Sequence, residues 1–233
     1  MPLNTVRPYL YTFILIVSAL LGKAQQQLEA RLHGELDIAK TDTAKARLYS
    51  ELARMYSNGN TDSLKTYAYK SLAVFKKDKN DYSGMYAYNA IAAYYRSESV
   101  YDSALYYYNE ARKKAEKLGN WRRVISGYNN MSNVYCDVGK FDKSVACGFK
   151  ALSLAEKIKN GESLAKTHKS LISPYNEMEM WPEVVYHSKA GLSYFLPHKD
   201  SANAARCYSG LGIGYIQLKN TRWQKMPLLN RCC

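Results

Sequence analysis

Apolar and aromatic side chains recur along the chain at the spacing of one helix face. A tyrosine returns in the same register at intervals of 39, 40, 40 and 40 residues, at Tyr56, Tyr95, Tyr135, Tyr175 and Tyr215. An apolar residue precedes each tyrosine by four positions, as Ile91 does, and an aromatic residue precedes most of them by seven, as Tyr88 does. Positions i, i+3, i+4 and i+7 share one face of a helix. The pattern therefore predicts a helix, here named helix A, in each of five segments.

A second series of small and apolar residues predicts another helix, named helix B, after each of the first four. These positions lie 40 residues apart, at Leu64, Ala104, Ser144 and Val184. Two residues before them stand Asp62, Asp102, Asp142 and Pro182. An acidic residue suits the first turn because it complements the helix dipole, and proline suits it because its φ is fixed. The sequence therefore predicts a chain of alternating A and B helices joined by short turns.

The unit resembles the tetratricopeptide repeat (TPR), in which an aromatic residue, an apolar-small pair and a tyrosine mark helix A. The second unit carries the pattern best, in Tyr88, Ile91, Ala92, Tyr95, Tyr101, Ala104, Tyr108 and Ala111. Its period of about 40 residues exceeds the 34 typical of the family. The resemblance implies an all-α fold, a TPR-type α-solenoid of stacked helix-turn-helix units. The expected repeats are 41–80, 81–120, 121–160, 161–199 and a partial one at 200–220.

The segments outside the repeats have their own predicted roles. Residues 1–24 have the pattern of a secretory signal peptide: Arg7, an apolar run at 10–21, and the small residues Gly22 and Ala24 before the cleavage site. The alternative, an uncleaved anchor, is disfavoured because the run is shorter than the roughly 20 residues that a spanning helix needs. We therefore expect export to the periplasm or cell envelope, with no membrane span left after cleavage. Residues 25–40 are predicted to form a capping helix, and 221–233 an irregular tail.

The composition fits a folded, strongly basic chain. Apolar residues make up 47% of it, and 33 Lys and Arg against 20 Asp and Glu give a net charge of +13. Removal of residues 1–24 would leave +11. Such a charge favours acidic partners. Nucleic acid would fit the charge but does not fit an exported protein. The five cysteines include no CxxC pair, so we interpret Cys136 and Cys147 as small buried residues; a disulfide between them, which export would permit, is the less favoured alternative.

We find no sequence pattern of a catalytic or cofactor site. The four histidines form no HExxH motif, and His168 falls on the packing face of its helix, where we expect a core histidine. The glycines of 210–214 lack the third glycine of a nucleotide-binding loop and lie inside a predicted helix, where small residues permit close helix approach. We therefore expect no enzyme activity, no cofactor and no metal site.

Helix A lines the concave side of a stacked array of this kind, so its outward residues are the candidates for a binding groove. The predicted groove residues are Arg54, Asn89, Arg96, Asn129, Asn133, Lys166, Lys169 and Asn176. Carboxylates on this face are few: Glu51, Asp137 and Glu177. Asparagine can pair with both backbone groups of an extended peptide, and Arg and Lys can hold carboxylates. The expected ligand is a protein or an extended acidic peptide.

Two functions follow from this pattern. The chain resembles the exported TPR sensor regions that precede a membrane span and a histidine kinase or DNA-binding output in Bacteroidota-type regulators. That resemblance implies an interaction scaffold, either the sensory part of an envelope signalling system or a shortened relative of one. The alternative is a carbohydrate- or surface-binding protein at the outer membrane that stacks sugars on Tyr and Trp. It is disfavoured because most tyrosines lie on packing faces.

Overall fold

A computed structural model describes Lys23, residues 25–57 and residues 59–224, the last five of these in backbone only. Apart from Lys23, the predicted signal peptide lies outside the described residues, and so do the last nine residues of the predicted tail. Within the described part all regular secondary structure is helical. The all-α prediction is confirmed.

Ten helices follow one another in the described part of the chain. They are α1 (25–37), α2 (Asp42–Met55), α3 (Thr61–Asp78), α4 (Asp81–Ser97), α5 (Tyr101–Lys117), α6 (Trp121–Asp137), α7 (Phe141–Lys157), α8 (Gly161–Glu177), α9 (Trp181–Phe195) and α10 (Ser201–Gln224). The even-numbered helices from α2 onward are the predicted A helices, and the odd-numbered ones from α3 are the B helices. Helix α10 extends four residues beyond the predicted end of the last repeat.

The chain divides into two compact parts, Met1–Ala90 and Ile91–Cys233, and the division falls within α4. In the first part, Leu32 of α1 is buried against Leu48 and Leu52 of α2. Helix α1 therefore covers the apolar face of α2, as the predicted capping helix would. In the second part each helix from α5 to α10 packs on the next, and the A helices α6, α8 and α10 also pack on one another.

The repeating tyrosine has the same partner position on helix B in three repeats. Its ring stacks on a ring eleven or twelve residues later: Tyr56 on Tyr67, Tyr95 on Tyr107 and Tyr175 on His187. The centroids are 5.2–5.9 Å apart and the planes lie within 12° of parallel. In the third repeat the partner position holds Cys147. In the three repeats that have both rings, the repeating tyrosine thus marks the same contact between helices A and B.

Small residues bring the two helices of a pair close together. In the third repeat Ser132 and Ser144 are fully buried, and each hydroxyl donates to the other's backbone carbonyl at 2.8 Å. In the second repeat two buried alanines, Ala92 and Ala104, pack in the same cluster. A polar pair fits this interior because both hydroxyls are satisfied.

The glycines of 210–214 have the predicted packing role at two of three positions. A Cβ on Gly210 would overlap Ser188 Oγ, and one on Gly214 would lie 2.7 Å from Val185 Cγ2. Gly212 has open space instead. The glycines therefore permit close packing on the preceding helices, within a continuous helix rather than a loop.

One turn geometry ends the helices at 20-residue intervals. In the described part of the chain, the residues with a left-handed backbone are Lys79, Ser99, Gly119, Gly139, Lys159, Glu179 and Lys199, with φ between 50° and 72°. From Ser99 onward, the next backbone N–H bonds back five residues, as from Asn160 to Ala155 at 3.0 Å. This is the Schellman arrangement, which satisfies a free carbonyl at the helix end. A helix and its turn therefore occupy 20 residues.

Five of these left-handed positions carry a side chain, which is strained in that conformation. We predict that Lys159→Gly raises the free energy of unfolding by about 0.5–1 kcal/mol, because glycine adopts positive φ without a Cβ clash. Chemical denaturation of the full chain measures the change.

The matched control is Lys157→Gly, the same substitution at the last residue of α7, where the backbone is helical. It should lower the free energy of unfolding by about 0.5–1 kcal/mol, because glycine is a poor helix former. Equal effects of the two substitutions would show that the left-handed turn costs nothing.

Candidate functional site

The predicted groove residues of the first compact part are Arg54 and Asn89. Arg54 is exposed near the end of α2, and its side chain contacts no partner in the described part of the chain. Asn89 is half-buried on α4. The other six predicted residues belong to the second part.

Asn129 was predicted to face solvent, but it does not. It is only 8% exposed, and its Nδ2 donates to Thr167 Oγ1 at 3.0 Å, so it belongs to the interface between α6 and α8. Sequence reasoning placed it outward because it is polar, but the neighbouring A helix covers it. Asn133, one turn later, is half-exposed, and its amide has no hydrogen-bond partner among the described residues. Of the two, Asn133 is the one placed to meet a ligand.

The surface is mixed in charge rather than uniformly cationic. Arg96 at the end of α4 holds Asp137 at the end of α6 with two bonds, Nε to Oδ2 at 2.5 Å and Nη2 to Oδ1 at 3.1 Å. Lys166 pairs with Glu162 within α8 at 2.5 Å. These carboxylates neutralise two of the predicted cations, so neither presents a free charge.

Two other cations on this surface have neutral hydrogen-bond partners. Lys169 Nζ donates to Asn203 Oδ1 at 2.6 Å, which joins α8 to α10. Arg206 Nη2 donates to Ser173 Oγ at 2.7 Å, which joins the same helices. Burial lowers the pKa of Lys169. Neither side chain has a carboxylate within ion-pair distance among the described residues.

These side chains form what we name the A-helix surface of the second part. It consists of Arg96, Asn133, Asp137, Lys169, Ser173, Asn176 and Arg206. Asn176 donates weakly to Glu177 at 3.3 Å, and its Oδ1 is buried without a hydrogen-bond partner in the described part. The arrangement offers a ligand the unpaired amide of Asn133 and two cations that lack carboxylate partners.

Cys136 lies within this surface, where it is half-buried rather than buried as the sequence predicted. Burial chiefly raises the pKa of its thiol, to about 11; Asp137 and Glu177 raise it further, while Arg96 and Arg206 lower it. The thiol is free, as are the buried Cys147 and Cys207. Cys136 is therefore a probe of the local charge.

The sequence predicted a polar surface on the A helices, but it did not predict which side chains of that surface pair with one another. Asp137 was recognised as a carboxylate on this face, but its pairing with Arg96 was not. The signal was available, because the two residues flank equivalent tyrosines at the ends of successive A helices. The roles of Ser173 and Asn203 had no such signal, since serine and asparagine suit any exposed helix face.

Two further properties concern the described residues as a whole. They contain no group of three or more His, Cys, Asp and Glu that could hold a metal ion. Within the same ranges, no helix has the length and apolar character needed to cross a bilayer.

The raised pKa of Cys136 predicts slow alkylation. At pH 8 its thiolate should be about a hundredfold rarer than that of an ordinary cysteine, so iodoacetamide should modify it slowly and the rate should rise with pH up to about 11. Asp137→Asn should lower the pKa and speed the reaction at pH 8. Peptide-level mass spectrometry measures Cys136 separately from the other cysteines.

Asp142→Asn, which removes an exposed carboxylate at the start of α7, is the matched control and should leave the rate unchanged. An equal acceleration by both variants would mean that Asp137 does not act on this thiol.

Comparison with known proteins identifies similar folds only. No protein-family model matches the chain, and no curated protein matches it. It is similar to the crystal structure of a signal transduction ATPase with numerous domains (STAND) protein with a tetratricopeptide repeat sensor from Pyrococcus horikoshii. The TM-score is 0.63 at 18% identity, over 87% of this chain and 32% of that one. The chain thus spans about a third of that protein's length.

A second similar structure is BtubC (BKLC) from P. vanneervenii, with a TM-score of 0.64 at 15% identity. The match covers 85% of this chain and 86% of that one. At such identities the likeness concerns the fold alone. The chain has the fold of an all-α, TPR-like solenoid built of sequential helix-turn-helix repeats.

Proposed function

We propose that the protein is an interaction scaffold that holds an extended, acidic segment of a partner protein on the A-helix surface of its second part. The observation that carries the proposal is the pair of cations, Lys169 and Arg206, whose hydrogen-bond partners are neutral side chains. Each has donor capacity beyond the bond it makes, since an ammonium has three donors and a guanidinium five.

Lys169 favours a carboxylate ligand for a specific physical reason. Burial disfavours its charged form and lowers its pKa, although Cys207 and Asp200 raise it. A ligand carboxylate would supply a charge-assisted hydrogen bond, which is roughly twice as strong as a neutral one. An acidic side chain is therefore the group that this position would select.

The asparagines suit the backbone of the same ligand. The amide of Asn133 is half-exposed and makes no hydrogen bond within the described part of the chain. The Oδ1 of Asn176 is buried, so its Nδ2 is the atom of this amide that can reach a ligand. An extended peptide presents backbone N–H and C=O groups that a free amide can pair with on both sides. These contacts would fix the path of the ligand, while Lys169 and Arg206 would read its acidic residues.

The proposal includes a place in the cell. The pattern of residues 1–24 supports export to the periplasm or envelope. The similar STAND protein carries a tetratricopeptide repeat sensor. We extend the proposal to a sensory role, in which peptide capture by this chain is the input of an envelope signalling system.

Peptide selection tests the binding surface. We expect a random peptide library displayed on phage to yield ligands enriched in Asp and Glu when selected on the full chain. Lys169→Met should weaken those ligands at least about tenfold, because it removes a charge-assisted hydrogen bond and leaves the ligand carboxylate unpaired. Asn133→Ala should weaken them less.

The matched control is Lys157→Met, which makes the same change at an exposed position of helix B. Affinities that fall equally in both variants would indicate general charge attraction. Affinities that persist in Lys169→Met would remove the A-helix surface from the proposal, whatever peptides are selected.

Export has its own test. We expect the protein expressed in a Gram-negative host to be recovered from the periplasmic fraction with Gln25 as its first residue, because signal peptidase cleaves after small residues. Intact mass shows the cleavage. Recovery of the uncleaved chain from the cytosol would refute the envelope location and leave the binding proposal standing.

A further inference from the structure

A pocket with aromatic walls lies on the side of the second part formed by helices B. It opens between α7 and α9, above α8, and has a volume of about 460 Å³. Phe149 of α7 and Tyr186 of α9 stand at its mouth, and they are 53% and 62% exposed. None of the side chains of the A-helix surface lines it. It is therefore a separate feature from the proposed peptide site.

The floor and one wall of the pocket are a continuous set of rings. His187 stacks on Tyr175 with centroids 5.2 Å apart, and Tyr186 meets His187 edge-on at 5.0 Å. The Nδ1 atoms of His187 and His168 are 2.8 Å apart, so one ring donates to the other. Contacts on both sides thus hold the rings in place.

The two histidines carry no charge at neutral pH. Burial lowers the pKa of His168, and burial together with the neighbouring His168 lowers the pKa of His187 to about 4. A bond between the two Nδ1 atoms also requires that one of them be unprotonated. The rings therefore present neutral π faces and edges to the pocket.

Two carboxylates give the pocket a negative charge. Glu156 of α7 and Glu183 of α9 line the pocket. Within the described part of the chain neither forms an ion pair with Lys or Arg. The pocket therefore combines aromatic rings with two negative groups and contains no cation among its lining residues.

In the third repeat, side chains of the protein itself cover the ring that is equivalent to His168. Tyr128 occupies the position of His168 forty residues earlier, and two of the protein's own cations lie over its face. Arg112 is 5.1 Å from the ring centroid and Lys150 is 5.9 Å from it. The equivalent residues around His168 are Leu152 and Ala190, which carry no charge. The fourth repeat thus keeps an aromatic ring at this position and lacks the internal cations.

We propose that this pocket binds an organic cation of the alkylammonium class. Rings attract a cation positioned over their faces within about 6 Å, most strongly when water is excluded, and carboxylates add direct charge attraction. The volume lies within the usual range for small-molecule sites, and it exceeds what an inorganic ion needs. The cation would occupy the place that Arg112 occupies one repeat earlier, because its equivalent Leu152 lines the pocket.

The same chemistry exists in two forms, a free small molecule such as choline and a trimethyl-lysine side chain on a protein. Both present a methylated ammonium with an apolar surface. Calorimetric titration of the full chain with choline, and separately with a short peptide that contains one trimethyl-lysine, distinguishes them. Binding of either supports the site, and a preference identifies the form.

Charge dependence is tested with a neutral probe of the same shape. The isostere 3,3-dimethylbutan-1-ol replaces the ammonium nitrogen of choline with carbon, and we expect it to bind at least about fivefold more weakly, the loss of a cation–π contact. Glu156→Gln and Glu183→Gln should each weaken choline and leave the isostere unchanged. Equal affinity for choline and the isostere would overturn the proposal, since the pocket would then select shape alone.

The aromatic wall is tested at its most exposed ring. Tyr186→Leu should weaken the bound cation about threefold to thirtyfold, because it removes the π face and keeps the apolar bulk. Tyr106→Leu is the matched control, since Tyr106 is the equivalent residue two repeats earlier and is equally exposed, at 61%. It should leave the affinity unchanged. Thermal stability equal to that of the unsubstituted protein would show that the fold of each variant is intact.

The result that overturns the proposal is clear. If neither choline nor the trimethyl-lysine peptide binds at millimolar concentration, the pocket is not a site for this class of cation. Loss of choline binding in Lys169→Met, with the pocket residues intact, would also contradict it, because that residue lies on the A-helix surface. Failure of the peptide selection above would leave this site untouched.

Discussion

Close packing of each A helix on its B helix is the interaction on which the rest of the fold depends. Tyr95 on Tyr107 and Tyr175 on His187 place one face of each A helix against its B helix. Small residues such as Ser132 and Ser144 then let the pair approach closely. Once the inward face is fixed in this way, helical geometry dictates which residues point outward. The A-helix surface and the ring-lined pocket are the two remaining sides of the same helix pairs.

The fold could be predicted because its signals are local and repeated. Five tyrosines in one register and the Asp or Pro at the starts of helices B are properties of single helices, and they need no knowledge of neighbours. The site was less predictable, since it depends on distances between successive A helices. Asn129 is polar and was placed outward, yet α8 covers it. Arg96 and Asp137 each suit an exposed position, and only their meeting removes their charge from the surface.

The pocket, too, could not be predicted from the sequence of single helices. His168 was correctly predicted to lie in the core, because it occupies a packing position. Its partner His187 and the exposed Tyr186 carried no sequence signal of a site when considered alone. Their significance comes from comparison between repeats, where Arg112 and Lys150 give way to Leu152 and Ala190. In a repeat protein, the equivalent position of another repeat thus serves as the comparison that shows which substitution is significant.

The left-handed turn has a consequence for how such a chain can change in evolution. Each residue of a helix advances the next by about 100°, so a single insertion would rotate everything beyond it and turn the packing face of the helix away from its neighbour. A left-handed residue every 20 positions fixes the length of each helix and its turn, so small insertions and deletions are disfavoured. Duplication of a whole A–B pair keeps the phase. Gene length in this lineage is expected to vary in steps of about 120 nucleotides, the coding length of one such pair.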